Sequence, residues 1–181
     1  MTNIGIWNWL HSMDIYDYDI CDGYVHVVGN VNLSGKGLAS IPVQFGYVSG
    51  DFGCVGNDLT SLEGSPSEVG GDFICVSNEL TSLEGGPKEV GGDYDSSYNK
   101  LVSLHGCPVK VGGDFYCGDN NLKSLKGCPT EVGGNFNCGW NKLTSLKGGP
   151  EEVGGEYDCS DNFDIRPYSD NIIIGGKLVW K

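Results

Sequence analysis

Apolar residues recur along this chain with a long period of 21 positions, and inside each period they follow a fixed order. An aromatic column runs Phe52, Phe73, Tyr94, Phe115, Phe136, Tyr157, and two places later stand Cys54, Cys75, Ser96, Cys117, Cys138 and Cys159. A spacing of two places both columns on one face of a short strand. Stacked coil on coil, they predict an aromatic ladder and a small-residue ladder inside the molecule. Leucines follow at Leu59 to Leu143 and at Leu62 to Leu146, and their i, i+3 spacing predicts a 3₁₀-like turn lining the same core. Val69 to Val153, at the same period, close that core ahead of a Gly-Gly corner.

The polar columns are as regular. Asn57, Asn78, Asn99, Asn120, Asn141 and Asn162 follow the strand, where an amide that both donates and accepts can satisfy the backbone of a turn. Pro66, Pro87, Pro108, Pro129 and Pro150 fix the return path. A Gly-(Asp/Asn/Glu)-(Phe/Tyr) unit begins at Gly50, Gly71, Gly92, Gly113, Gly134 and Gly155, with a weaker copy at Gly29. One coil of this kind cannot bury its own apolar face, so the pattern predicts a repeat solenoid stabilised by neighbouring coils. At about 4.8 Å per parallel strand, about seven coils give a rod roughly 30 Å long.

Both ends need caps, since an open end exposes core and strand edge. Ile6, Trp7, Leu10 and Met13 have helical spacing over residues 2–13, and "YDYDICDGYVHVV" alternates about an Asp22-Gly23 turn. The organisation expected is an N-terminal helix-plus-hairpin cap over 1–28, a solenoid over 29–165 and a C-terminal cap over 166–181. In the last segment "NIIIGGKLVW" reads as two short strands or a hairpin around Gly175-Gly176, with Trp180 plugging the final coil.

The 30 glycines mark the repeated turns, and the formal charge of −13 argues against a basic nucleic-acid binder. Two readings of the acidity are open: it keeps the array soluble, or it meets a basic partner. Residues 50–99 carry ten Asp/Glu and one Lys, whereas residues 100–149 carry three Asp/Glu and six Lys. No secretory signal or membrane-spanning run is visible, so a cytoplasmic protein is expected.

Little in the sequence promises chemistry. Five of the eight cysteines share the ladder position and read as small core fillers; Cys107 and Cys128 share a position before Pro on neighbouring coils, where a disulfide is sterically conceivable. No C-x-x-C motif occurs, and none of His11, His26 and His105 pairs with cysteine at zinc spacing. "DYDICDG" departs from a calcium loop: its glycine comes one place late and Val28 stands at the twelfth position. Neither catalytic residue, metal nor cofactor is expected.

The string F-x-C-x-x-N-x-L-x-S-L resembles the leucine-rich repeat, of the short bacterial type but one residue longer, over roughly residues 29–165. "DGYVHVVGNVNLSGKGLASIPVQFGYVSGDF" resembles the leading segment of small leucine-rich-repeat proteins encoded by large tailed bacteriophages. The resemblance implies a leucine-rich-repeat-like solenoid with short parallel β-strands on a concave, partner-binding side and turns or 3₁₀ segments outside. It also implies phage origin and action in the host cytoplasm.

Three columns then face outward: Asp51, Asp72, Asp93, Asp114, Asn135, Glu156; Gly53, Ile74, Asp95, Tyr116, Asn137, Asp158; and Gly56, Ser77, Tyr98, Asp119, Trp140, Asp161. The first is a carboxylate ladder with two readings, a binding surface or a hydrogen-bonding device at the Gly-Gly corner. The third varies, and stacking does not demand that Tyr98 and Trp140 be large. The expected contact patch is Tyr98, Tyr116, Asp119 and Trp140, flanked by Asp93, Asp95 and Asp114. The function expected is a non-enzymatic protein-binding module, monomeric or weakly dimeric. Its partner is expected to be a host protein with a basic or mixed-charge surface, such as a defence or regulatory factor. A DNA-mimic inhibitor and a virion or self-assembling component remain open as alternatives.

Overall fold

Why the chain coils follows from the register of its strands. In a computed structural model, which describes residues 2–163, 165 and 173–180, the strand residues of a repeated coil pair with their counterparts 21 positions on, as in Phe52↔Phe73 and Val69↔Val90. The result is a parallel-strand β-solenoid of about seven turns with one short N-terminal helix.

The elements are α1 (Asn3–Ser12), β1 (Tyr18–Cys21), β2 (Tyr24–Val27), β3 (Val31–Asn32) and β4 (Phe45–Val48), followed by two strands per coil. Those are β5 (Phe52–Gly53), β6 (Glu68–Val69), β7 (Phe73–Ile74), β8 (Glu89–Val90), β9 (Tyr94–Asp95), β10 (Lys110–Val111), β11 (Phe115–Tyr116), β12 (Glu131–Val132), β13 (Phe136–Asn137), β14 (Glu152–Val153), β15 (Tyr157–Asp158), β16 (Ile173–Ile174) and β17 (Leu178–Val179). Odd strands from β3 to β17 build one sheet, the aromatic sheet; β1 and the even strands build the other, the valine sheet. The second strand in each coil was not foreseen: Glu68-Val69 and its equivalents were read as core closure alone. The expected 3₁₀ turns at the leucines are turns and bends among the described residues.

The core between the sheets is columnar. Rings of consecutive coils lie with centroids 5.6 Å apart for Phe52–Phe73, 5.3 Å for Tyr94–Phe115 and 5.5 Å for Phe115–Phe136, near the inter-strand spacing. These rings, Cys54, Cys75, Ser96, Cys117 and Cys138, and the leucines are buried. The asparagine ladder does more than cap its own turn. Nδ2 of Asn120 donates to Ser96 O one coil back and to Cys117 O in its own coil, while its Oδ1 accepts from the N–H of Leu101. One amide thus ties two coils and leaves little of its bonding capacity idle. The paired glycines are fixed by contact. A Cβ on Gly91 would lie 2.3 Å from Gly70 O, and one on Gly92 would lie 2.1 Å from Asp72 Oδ1.

At the N-terminus Thr2 caps α1, its Oγ1 accepting from the N–H of Gly5 at 3.3 Å, and Ile6 and Leu10 are buried with Ile15. Trp7, at a helical spacing with these, instead faces out. Strands β1 and β2 form the expected antiparallel hairpin; Asp22 (φ 51°) and Gly23 (φ 84°) both take the positive φ of a tight hairpin turn. At the far end the hairpin alternative is corrected. Strands β16 and β17 belong to different sheets and run parallel to β14 and β15, so Gly175-Gly176 is one more coil corner. Trp180 follows β17 at the place of the cysteine ladder but is exposed, at 46%, and so does not plug the final coil as expected. The rest of the expected 166–181 cap, residues 166–172 and 181, lies outside the described residues. Among those described, no helix is long and apolar enough to cross a membrane.

Candidate partner-binding face

The outer face of the aromatic sheet carries the three columns singled out above. In the first, each side chain reaches one coil forward. Asp51 Oδ1 accepts from the N–H of Asp72 at 3.0 Å, Asp72 from Asp93 at 2.8 Å, Asp93 from Asp114 at 2.7 Å and Asp114 from Asn135 at 2.6 Å. The carboxylate ladder is therefore a structural device. Its target is the N–H just after the Gly-Gly corner, which the strand ladder leaves open. Each carboxylate spends one oxygen on this bond.

Asp114 spends the other oxygen as well: Oδ2 accepts from the Tyr116 hydroxyl and, at 3.2 Å, from Asn135 Nδ2. Partial burial alone would raise the Asp114 carboxyl, but the bonds from the Tyr116 hydroxyl and from Asn135 outweigh it and hold the group below its ordinary range. Reciprocally, the bond to Asp114, with partial burial, pushes the Tyr116 phenol up to about 12.

The second column turns the chain out of the strand. Asp95, Asn137 and Asp158 each accept at Oδ1 from the N–H two residues on, in Ser97, Gly139 and Ser160, at 2.9 Å. Burial pushes the Asp95 carboxyl up, against the Ser97 bonds that lower it, with Asp93 adding repulsion.

The third column occupies left-handed backbone throughout: Gly56 (φ 64°), Ser77 (56°), Tyr98 (56°), Asp119 (52°), Trp140 (52°) and Asp161 (53°). Glycine suits this conformation; a side chain there costs on the order of 1 kcal/mol, least for Asp and Asn. Tyr98 and Trp140 accept that cost while standing 61% and 62% exposed, so burial returns little to them. Asp119, between them in the column, is only partly exposed. The structure thus brings Tyr98, Tyr116, Asp119, Trp140, Asp93, Asp95 and Asp114 onto one face of coils that adjoin. The left-handed backbone was not legible in advance, although a glycine at position 56 of this column was a signal for it.

Charge is segregated. Across these eighteen positions stand nine carboxylates and no Lys or Arg, until Lys177 takes the next rung. The ion pairs among the described residues, Lys36–Asp14, Lys100–Glu79, His105–Glu84 and Lys110–Glu131, all lie off this face. Lys123, Lys126, Lys142 and Lys147, which make the second half of the sequence look basic, are exposed on the turns that follow the asparagines.

Elsewhere, the valine sheet presents a shallow open groove of about 910 Å³, floored by Gly70, Gly91, Gly112 and Gly133 and edged by Glu68, Glu89, Lys110 and Glu131. Sequence reasoning missed it because the second strand was missed. All eight cysteines, Cys107 and Cys128 included, are free thiols; burial pushes Cys54 and Cys128 up to about 12, so these stay protonated at neutral pH. No group of three or more His, Cys, Asp or Glu among the described residues is arranged to hold a metal ion. A comparison of the chain with protein-family models finds no match, and comparisons with curated proteins and with solved structures find none either.

Proposed function

We propose that the chain is a non-enzymatic protein-binding module whose contact face is the outer side of the aromatic sheet. One observation carries this reading: two large aromatics stand exposed on left-handed backbone where glycine, serine or aspartate serves in other coils. Stacking of coils does not require them, and exposed aromatics are common anchors of interfaces. The finer reading is a leucine-rich-repeat-like solenoid that uses the concave side of this sheet. On the resemblance of residues 22–52 to phage-encoded proteins, it acts in the cytoplasm of an infected host on a defence or regulatory factor. Its test is affinity capture from host lysate with tagged wild type beside the Tyr98→Ala/Tyr116→Ala/Trp140→Ala variant. A partner held by wild type and lost by the folded variant supports the reading; equal capture by both sinks the patch.

A second reading, an acidic mimic of DNA, gains from the segregation of charge, because the lysines of the second half do not interrupt the acidic face. It is disfavoured by rung spacing: carboxylates about 4.8 Å apart follow duplex phosphates poorly. Under that reading the captured proteins bind nucleic acid, leave at moderate salt and are displaced by duplex DNA.

A further inference from the structure

We infer that the site formed by Tyr98, Asp119 and Trp140 takes an arginine side chain, so that the partner segment the face recognises is arginine-rich rather than merely basic. This rests on the protein-binding reading and deepens it. The three residues are consecutive in one column, with the carboxylate between two aromatics. Neighbouring rungs are about 4.8 Å apart, so a cation bound to Asp119 lies within roughly 6 Å of both rings, the range of cation–π attraction. A guanidinium satisfies the three groups together. It donates two parallel hydrogen bonds to a carboxylate from one edge while its flat faces stack on aromatic rings. An ammonium is a compact, strongly hydrated charge that gains less from the rings.

Charge complementarity argues for a cationic occupant. The carboxylates of this face have no ion-pair partner among the described residues, and Asp95, in the coil that carries Tyr98, is pushed up chiefly by burial and least by Asp93, so a cation arriving on the face favours its charged form. A second copy of the chain fits less well. Its eleven basic residues include a single arginine, Arg166. Contacts between copies would therefore be made with lysine.

The test is fluorescence anisotropy with labelled nona-arginine, nona-lysine and a neutral Gly-Ser peptide of the same length, at about 0.15 M salt. The proteins are the full chain, Trp140→Ala and Asp119→Asn, each first shown to melt as a folded protein. Wild type is expected to bind nona-arginine about fivefold or more tightly than nona-lysine, the scale of one exposed cation–π contact. Trp140→Ala should lower that ratio to the part that Tyr98 still supports, while leaving nona-lysine affinity nearly unchanged. Asp119→Asn, which suits left-handed backbone, should weaken arginine binding severalfold. Equal affinities in wild type, a ratio undiminished by Trp140→Ala, or no binding of nona-arginine would overturn the inference. A lysate partner lost by the triple-alanine variant alongside equal peptide affinities removes the arginine assignment alone. Selective arginine binding with no captured protein removes the host-partner reading alone.

Discussion

Single residues on the aromatic face divide into those that hold the coil and those that do not. Asp114 and Tyr116 hold it together, because the phenol fills the carboxylate oxygen that the next coil's N–H leaves over. Two pH effects follow. Asp114 is held below its ordinary range in the folded chain, so its contribution to stability is present at neutral pH and is lost as pH falls through the folded value. Tyr116 is raised from 10.0 to about 12, so its contribution is complete below pH 10 and is lost as pH rises through about 12. Tyr116→Phe should shift the Asp114 carboxyl titration upward by NMR and remove only the Tyr116 share of the stability lost between those two alkaline values, since the buried thiols and Tyr94 and Tyr157, also pushed up by burial, supply the rest. An unmoved Asp114 titration would show that the Asn135 bonds alone set it.

Coils, the elements of this fold, are fitted to one another by volume. Tyr94 and Tyr157 interrupt a ladder of phenylalanines, and both hydroxyls are buried without a hydrogen-bond partner among the described residues. Each tyrosine follows a coil return that carries glycine before its proline, Gly86 or Gly149; phenylalanine follows Ser65, Cys107 and Cys128. A Cβ added at Gly149 would lie 2.8 Å from the Tyr157 hydroxyl oxygen, and one at Gly86 3.5 Å from that of Tyr94. The hydroxyl thus occupies space that a side chain fills in other coils. Gly149→Cys alone should destabilise by about 1–3 kcal/mol through overpacking. Tyr157→Phe alone should be neutral or stabilising, since it removes a dry hydroxyl. The double variant should regain most of the loss. Additive effects in urea unfolding of this four-member cycle would contradict the fit.

For the whole molecule, the solenoid was legible because its period fixes the register, and with it the aromatic, cysteine, leucine and asparagine columns. The second sheet was not legible: two extended residues between a proline and a glycine pair are too few to show an alternation. Nor was the backbone under Tyr98 and Trp140, since sequence shows a variable column and not its φ. The division of charge became visible only in three dimensions, where lysines near in sequence to the acidic columns leave the sheet at the following turn. What emerges is a stack whose interior is repetitive and whose third outer column holds side chains on left-handed backbone.

Under the proposed function, Tyr98 and Trp140 serve contact rather than stability. The most direct measurement takes Tyr98→Gly/Trp140→Gly beside Tyr98→Ala/Trp140→Ala and records both urea unfolding and partner capture. The glycine variant should exceed the alanine variant by about 1 kcal/mol at each position, be at least as stable as wild type, and capture nothing. A glycine variant less stable than wild type, or one that still captures the partner, would contradict it.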